Sequence, residues 1–101
     1  MYLYVLSLKA QPGKARDAFA LMREWAAHNN RVMPPAVPFQ AYLEILGEVG
    51  TVHMTGGLES LADLERRLRW LDAPDAASQA MIGQANELLQ MDTLVRKVLE
   101  G

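Results

Sequence analysis

The chain contains no cysteine, which excludes disulfides, thiolate nucleophiles and cysteine-ligated metals. It also has little excess charge, since ten Lys and Arg residues face twelve Asp and Glu, for a formal net charge of −2. Such a balance does not provide the excess of basic residues that binds nucleic acid, so no nucleic-acid partner is expected. No run approaches the roughly 20 apolar residues of a membrane span, and the apolar opening Met1–Leu8 has no basic segment before it. We therefore expect a soluble, cytoplasmic protein without a membrane partner.

Signals for metals and cofactors are also missing. A metal site would need several convergent histidine or carboxylate ligands, and the chain has two histidines. His28 stands beside a predicted helix end, where it would interact with the helix dipole. The segment Thr55–Ser60, TGGLES, has neither the lysine of a phosphate-binding loop nor the dinucleotide fingerprint. We expect no metal and no cofactor.

What the chain does have is ordinary globular composition, with 50% apolar residues in a length of 101, which predicts one domain over residues 1–101. Its opening, Tyr2–Lys9, has the pattern of a strand. One face of this strand would carry Tyr2, Tyr4, Leu6 and Leu8, and the other Leu3, Val5 and Ser7. Because both faces are largely apolar, we expect both to be covered.

A turn at Gln11–Lys14 introduces the first helix. Its apolar residues recur at helical spacing, namely Ala15, Ala18, Phe19, Met22, Trp25 and Ala26. The helix is predicted to end at His28–Asn30. Pro34, Pro35 and Pro38 then forbid regular helix, which indicates either a linker or a rim over a pocket.

A hairpin is predicted next. Phe39–Glu48 and Thr51–Thr55 are its strands, and Gly47–Gly50 is its turn. Gly56–Gly57 is expected to end or bulge the second strand, so that one of the two glycines either has φ > 0 or sits in a bulge.

The second helical region opens at Ser60, a good N-cap, and carries a leucine stripe at Leu61, Leu64, Leu68 and Leu71. Pro74 suits the first turn of a new helix with Asp72 or Ala73 as its cap, so the region is broken in two. After a break at Met91–Thr93, Leu94–Leu99 has the pattern of a last strand.

The resulting order, β-α-β-β-α-β, predicts an α+β, ferredoxin-like fold with a four-stranded antiparallel sheet and the helices on one face. The second face would be bare in a monomer. A second copy of the sheet is its simplest cover, so we expect a homodimer through the sheet faces.

Two stretches resemble the NIPSNAP family of the dimeric α/β-barrel superfamily. Gln11–Phe19, QPGKARDAF, is similar to the family's strand–PGK–helix opening, and Thr51–Leu68, TVHMTGGLESLADLERRL, to its histidine-containing strand followed by a Ser-Leu-Ala-Asp helix start. Where the family has a tryptophan and a tyrosine between these parts, this chain has Thr55–Leu58. The resemblance implies a dimeric α/β barrel more firmly than an activity, because the superfamily includes cofactor-free monooxygenases, isomerases and small-molecule binders.

His53 is the candidate catalytic residue, because imidazole exchanges protons near neutral pH. The alternative is a strand histidine hydrogen-bonded to a neighbour near the dimer seam. Glu44 would lie across the hairpin from His53 if Glu48 and Val49 are the central turn residues; another loop length would place Ile45 or Leu46 there. The candidate ligand-binding residues are Tyr4, Trp25, Tyr42 and Glu44.

Three functions are open at this point. The first is a protein that binds or transforms a small apolar organic molecule between sheet and helices. The second is a cofactor-free monooxygenase or isomerase in which His53 acts with a tyrosine. The third is a non-catalytic dimerisation module.

Overall fold

The computed structural model describes all residues, 1–101, as seven elements. In chain order these are β1 (Tyr2–Ala10), α1 (Ala15–Val32), β2 (Val37–Leu43), β3 (Thr51–Leu58), α2 (Leu61–Trp70), α3 (Ala76–Leu88) and β4 (Leu89–Glu100). None of the three helices combines the length and the hydropathy that crossing a bilayer requires.

The four strands form one antiparallel sheet in the order β2-β3-β1-β4. This order is that of the ferredoxin-like plan, with β3 and β1 in the centre. The fold class predicted from the sequence is confirmed, including the second helical region that is broken near Pro74.

The two faces of the sheet differ because only one of them is covered. Tyr4, Leu6 and Leu8 of β1 are buried under the helices, whereas Leu3 and Lys9 on the other face are exposed. On β3, Val52 and Met54 are buried on the helix side. We call the uncovered side the open face. The predicted alternation of β1 is confirmed.

The hairpin is shorter than predicted. β2 ends at Leu43 instead of Glu48, and residues 44–50 form a loop in which Gly47 and Gly50 have φ of 95° and 89°. The Glu44 N–H donates to the Thr51 carbonyl at 2.9 Å, which closes the ladder at this point. Tyr42, not Glu44, Ile45 or Leu46, therefore pairs with His53.

The predicted positive φ at Gly56 or Gly57 is wrong, and the irregularity lies in the strand that faces them. Neither Gly56 nor Gly57 has positive φ, and both lie inside β3. The register irregularity is in β2, which advances three residues from Val37 to Gln40 while β3 advances two, from Gly57 to Thr55. Glycine is required here for space, since a Cβ at Gly56 would lie 2.3 Å from the Phe39 ring.

The first helix continues past its predicted end, His28–Asn30, to Val32. The asparagine amides do not break it, because Asn29 donates to the Trp25 carbonyl one turn back and Asn30 bonds both the N–H and the carbonyl of Phe39. His28 is buried and its Nε2 lies 2.8 Å from Asp75 Oδ2, so its partner is this carboxylate and not the helix dipole.

The caps of the second helical region are partly as predicted. Ser60 is the N-cap of α2, and its hydroxyl accepts from the Asp63 N–H at 3.1 Å. The N-cap of α3 is Asp75, and neither Asp72 nor Ala73 caps it, so Pro74 precedes the cap instead of standing in the first turn. Hydrogen bonds from Ser78 lower the pKa of Asp75, and His28 lowers it further.

The last strand begins at Leu89, directly after α3, and not at Leu94 as predicted. The break at Met91–Thr93 is a bulge inside this strand. Gln90 pairs with Lys9 and Val95 pairs with Ser7, so a longer stretch of β4 lies opposite a shorter stretch of β1. The Thr93 hydroxyl accepts from the Lys9 N–H at 2.9 Å and donates to the Gln90 carbonyl. These bonds satisfy backbone groups that the bulge removes from the ladder.

Candidate functional site

A cavity of about 270 Å³ lies between the sheet and the helices. Its floor comes from β1 and β4, and its walls from α1, α3 and Leu71 at the end of α2. Thirteen of its fourteen lining residues are hydrophobic, and Arg96 is the exception. The cavity lies between the sheet and the helices, which is where the hypothesis of a small-molecule binder would place a ligand.

Local sequence explains why this space is apolar and open. The bulge of β4 carries Met91 and Leu94, which line the cavity, away from the regular ladder. On α3, small Ala85 lies between β4 and α1, where a larger side chain would fill the space. The bulge and the small residue at position 85 therefore both border the cavity.

Two of the predicted ligand-binding residues, Tyr4 and Trp25, line this cavity. The Tyr4 ring is buried and meets the Phe39 ring edge-on, with 6.0 Å between centroids. Trp25 packs against Trp70 at 6.1 Å, which ties α1 to the end of α2. Both aromatic rings thus form fixed walls of the cavity.

A smaller cavity of about 40 Å³ adjoins the first and shares Tyr4, Trp25 and Leu71 with it. Arg67 lines this space and is held on three sides. Its Nε lies 3.1 Å from Asp63, its Nη1 donates to the Met33 carbonyl at 2.7 Å, and its guanidinium stands 5.3 Å from the centre of the Phe39 ring. Its buried Nη2 has no partner among protein atoms.

The other candidates lie on the open face. His53 stands between two polar side chains: its Nδ1 is 2.7 Å from Ser7 Oγ, and its Nε2 is 2.7 Å from Glu44 Oε1. Ser7 is the direct cross-strand partner of His53, whereas Glu44 reaches it diagonally, two residues beyond Tyr42. The contact between Glu44 and His53 is present, although the register that suggested it is not.

Ser7, His53 and Glu44 form a hydrogen-bonded row of side chains on the open face, which we call the polar row. The chemistry of each group sets which atom donates and which accepts. A carboxylate can only accept, so His53 Nε2–H donates to Glu44. In the neutral ring Nδ1 then accepts from the Ser7 hydroxyl. The bond from His53 lowers the pKa of Glu44, and the Glu48 N–H, which the same carboxylate accepts, lowers it further.

Tyr4 and His53 lie on opposite faces of the sheet, so the two side chains cannot act on one substrate molecule. Tyr42, which shares the open face with His53, donates its hydroxyl hydrogen to Gln40 at 2.7 Å. Tyr42 borders a broad, open depression of about 450 Å³ on this face, whose lining does not include His53. The histidine is thus held by protein groups at both nitrogens.

Sequence reasoning missed Ser7 and Arg96. The alternation of β1 places Ser7 on the face of His53 once the pairing of β1 with β3 is known, but a single sequence does not give that pairing. Arg96 stands in the predicted last strand, and only the strand register shows that it shares the helix face with Leu6. No group of three or more histidine, aspartate or glutamate side chains is placed to hold a metal ion.

Comparisons with known proteins agree with this architecture. No protein-family model matches the sequence, and no curated protein matches it. Among solved structures, a NIPSNAP family protein from Agrobacterium tumefaciens superposes with a TM-score of 0.76 at 22% identity, over 98% of this chain and 90% of that one. An uncharacterised NIPSNAP domain protein from Burkholderia xenovorans gives a TM-score of 0.77 at 12% identity, over 100% and 94%.

An antibiotic biosynthesis monooxygenase also superposes, with a TM-score of 0.69 at 12% identity, over 100% of this chain and 98% of that one. At such identities the likeness concerns the fold and not the chemistry. The resemblance inferred from the sequence is confirmed at that level: the chain has the fold of NIPSNAP family proteins, a fold that it shares with antibiotic biosynthesis monooxygenases.

Proposed function

We propose that the protein binds a small, mostly apolar organic molecule in the cavity between the sheet and the helices. The observation that carries this proposal is the cavity itself, about 270 Å³ in volume with thirteen hydrophobic residues among its fourteen. Apolar enclosure with a few polar groups at defined places is the usual character of small-molecule sites.

The volume limits the size of the ligand. Sites for drug-sized molecules occupy about 300–1,000 Å³, so this cavity suits a molecule at or below the lower end of that range. Tyr4 would supply the one phenolic hydroxyl among the lining side chains. Since that hydroxyl bonds no protein group, it is free to bond an oxygen of the ligand.

The test uses the neutral fluorophore N-phenyl-1-naphthylamine, whose emission rises in apolar surroundings. We expect saturable binding to the wild-type protein. Ala85→Leu places a larger side chain in the cavity and should weaken binding at least tenfold. Ala80→Leu is the matched control, because Ala80 is exposed on the same helix. Absence of binding to the wild type, or equal binding to both variants, contradicts the proposal.

The open face supports a second role, assembly of a homodimer. Its exposed apolar side chains include Leu3 and Leu99, which are direct cross-strand partners, and Val95, which lies further along β4 opposite Ser7; they are 43%, 52% and 45% exposed. Exposed apolar surface of this kind favours association. The molecule measures 37 × 32 × 21 Å, so its broad face can supply the roughly 800 Å² per partner of a standard interface.

Light scattering at micromolar concentration tests this assembly. We expect the mass of a dimer for the wild-type protein and of a monomer for Leu3→Glu, which puts a charge among the exposed apolar side chains of the proposed interface. Ile45→Glu introduces the same charge in the loop after β2, where Ile45 is already exposed, and should remain dimeric. A monomeric wild type would refute the proposal.

A further inference from the structure

We propose that the ligand of the cavity carries an anionic group, such as a carboxylate, that is bound by Arg96 at the cavity mouth. This inference rests on the proposed function, because it names the chemical class of the molecule that the same cavity takes. The ligand would thus be amphipathic, with an apolar body inside the cavity and a charged end at its rim.

The position of Arg96 places its charge at the cavity mouth. Arg96 pairs with Leu6 across the β1–β4 ladder, so its side chain leaves the sheet on the helix side, where the cavity lies. It is exposed, whereas Leu6 is buried, so the guanidinium stands at the opening and not in the interior. The methylene part of an arginine can line an apolar wall while its head stays in water.

The charge distribution around the cavity also favours an anion. The other thirteen lining residues are hydrophobic, so Arg96 is the one charge at the cavity. Its guanidinium forms no ion pair or hydrogen bond with the protein, unlike those of Arg66, Arg67 and Arg69 on α2, which all pair with carboxylates. Its donors are therefore available. An unpaired guanidinium beside an apolar space favours a ligand that brings a negative charge with an apolar body.

Arginine also matches the proposed group in shape. Its planar fork of N–H donors binds a carboxylate through two parallel hydrogen bonds. Tyr4 and Arg96 are diagonal neighbours on the helix face, since Tyr4 pairs with Val98 and Arg96 with Leu6. A ligand held at Arg96 would therefore place the first part of its apolar body beside the Tyr4 ring.

The experiment compares two probes that share one alkyl chain and differ in charge, decanoate and 1-decanol. Each is used to displace N-phenyl-1-naphthylamine from the protein, decanoate below its micellar concentration and 1-decanol below its solubility limit. For the wild type we expect decanoate to bind about two- to fivefold more tightly than 1-decanol, the range set by a solvent-exposed charge pair. In Arg96→Gln, decanoate should weaken to the level of 1-decanol while 1-decanol is unchanged.

Two further variants separate a local contact from a change in net charge. Arg96→Lys should keep part of the preference, because lysine retains the charge but loses the planar fork. Arg23→Gln removes one positive charge from α1, away from the cavity lining, and should leave the preference for decanoate intact. The preference should also shrink at high salt.

The outcomes are distinct. If both probes displace the fluorophore equally from the wild type, the anionic inference is overturned while the proposed function stands. If Arg23→Gln abolishes the preference as completely as Arg96→Gln, the effect is one of net charge and the inference is also overturned. If the fluorophore does not bind at all, the proposed function fails and the inference fails with it.

Discussion

A methyl group at Gly56 is the sharpest test of how β2 and β3 pack. A Cβ built there lies 2.3 Å and 2.5 Å from two carbons of the Phe39 ring, well inside contact distance. Gly56 pairs with Tyr4, and the Phe39 ring lies over the glycine to meet Tyr4 edge-on. Because Gly56 has no side chain, the Phe39 ring can lie in the space where a Cβ would stand.

The ring has little freedom to move away. Phe39 is buried, Arg67 stands over it, and its backbone N–H and carbonyl both bond the side chain of Asn30. Overpacking of a rigid core typically costs about 1–3 kcal/mol, and we expect Gly56→Ala near the upper end of that range. Each kcal/mol lowers the Tm of a domain of this size by roughly 4–8 °C.

The assay is urea unfolding followed by circular dichroism, with Gly83→Ala as the matched control. A Cβ at Gly83 meets nothing within 4 Å, and Gly83 lies inside α3. The same substitution should there stabilise the protein by roughly 0.5–1 kcal/mol, the helix preference of alanine over glycine. Phe39→Leu combined with Gly56→Ala should cost less than the sum of the two single changes. Equal effects of Gly56→Ala and Gly83→Ala would refute the reasoning.

Two further predictions concern the polar row on the open face. His53→Ala removes the hydrogen-bond partner of the Ser7 hydroxyl and of the partly exposed Glu44 carboxylate, and should lower the free energy of unfolding by about 0.5–1.5 kcal/mol, whereas Thr55→Ala on the same face should stay within about 0.5 kcal/mol. An unchanged denaturation midpoint for His53→Ala would contradict this. Because the pKa of Glu44 is lowered from 4.5, its stabilising contribution is complete above that value and is lost as the pH falls below it. Glu44→Gln should therefore unfold with a shallower dependence on acid pH than the wild type, and parallel curves would contradict the assignment.

Local patterns in the sequence account for much of the fold. The alternation of Tyr4, Leu6 and Leu8 with Leu3 and Val5 sets both faces of β1 because side-chain direction in a strand has a period of two. Ser60 caps α2 because its hydroxyl reaches the N–H of Asp63 within the same turn. These features depend on neighbours in the chain, so a single sequence contains them.

Other features depend on residues distant in sequence. The hairpin register is set by where the 44–50 loop closes, and that loop is longer than its glycines suggested. Asn30 looks like a helix end, but it bonds the backbone of Phe39, which lies in another element. Gly56 looks like a turn residue, but its role is to admit a ring from the adjacent strand.

The residues of the candidate site show the same difference between local patterns and contacts that are distant in sequence. Sequence reasoning predicts Tyr4 as a strand phenol that can donate to a ligand, and Trp25 as a wall of a pocket between helices and sheet. Arg96 was missed because its direction depends on pairing with Leu6, and no local pattern specifies that pairing. Ser7 was missed for the same reason, since its contact with His53 crosses from β1 to β3.

The position of β1 between β3 and β4 has a consequence for synthesis on the ribosome. β1 is the first element made and β4 the last of the seven, yet they pair along almost their whole length, from Tyr2 opposite Glu100 to Ala10 opposite Leu89. During translation one edge of β1 therefore remains unpaired until β4 emerges, although the side chains of β1 are largely apolar on both faces. A nascent chain in that state exposes an edge strand whose unpaired backbone groups can pair with other polypeptides. Chaperone contact is expected to be greatest in that interval and to end when β4 completes the sheet.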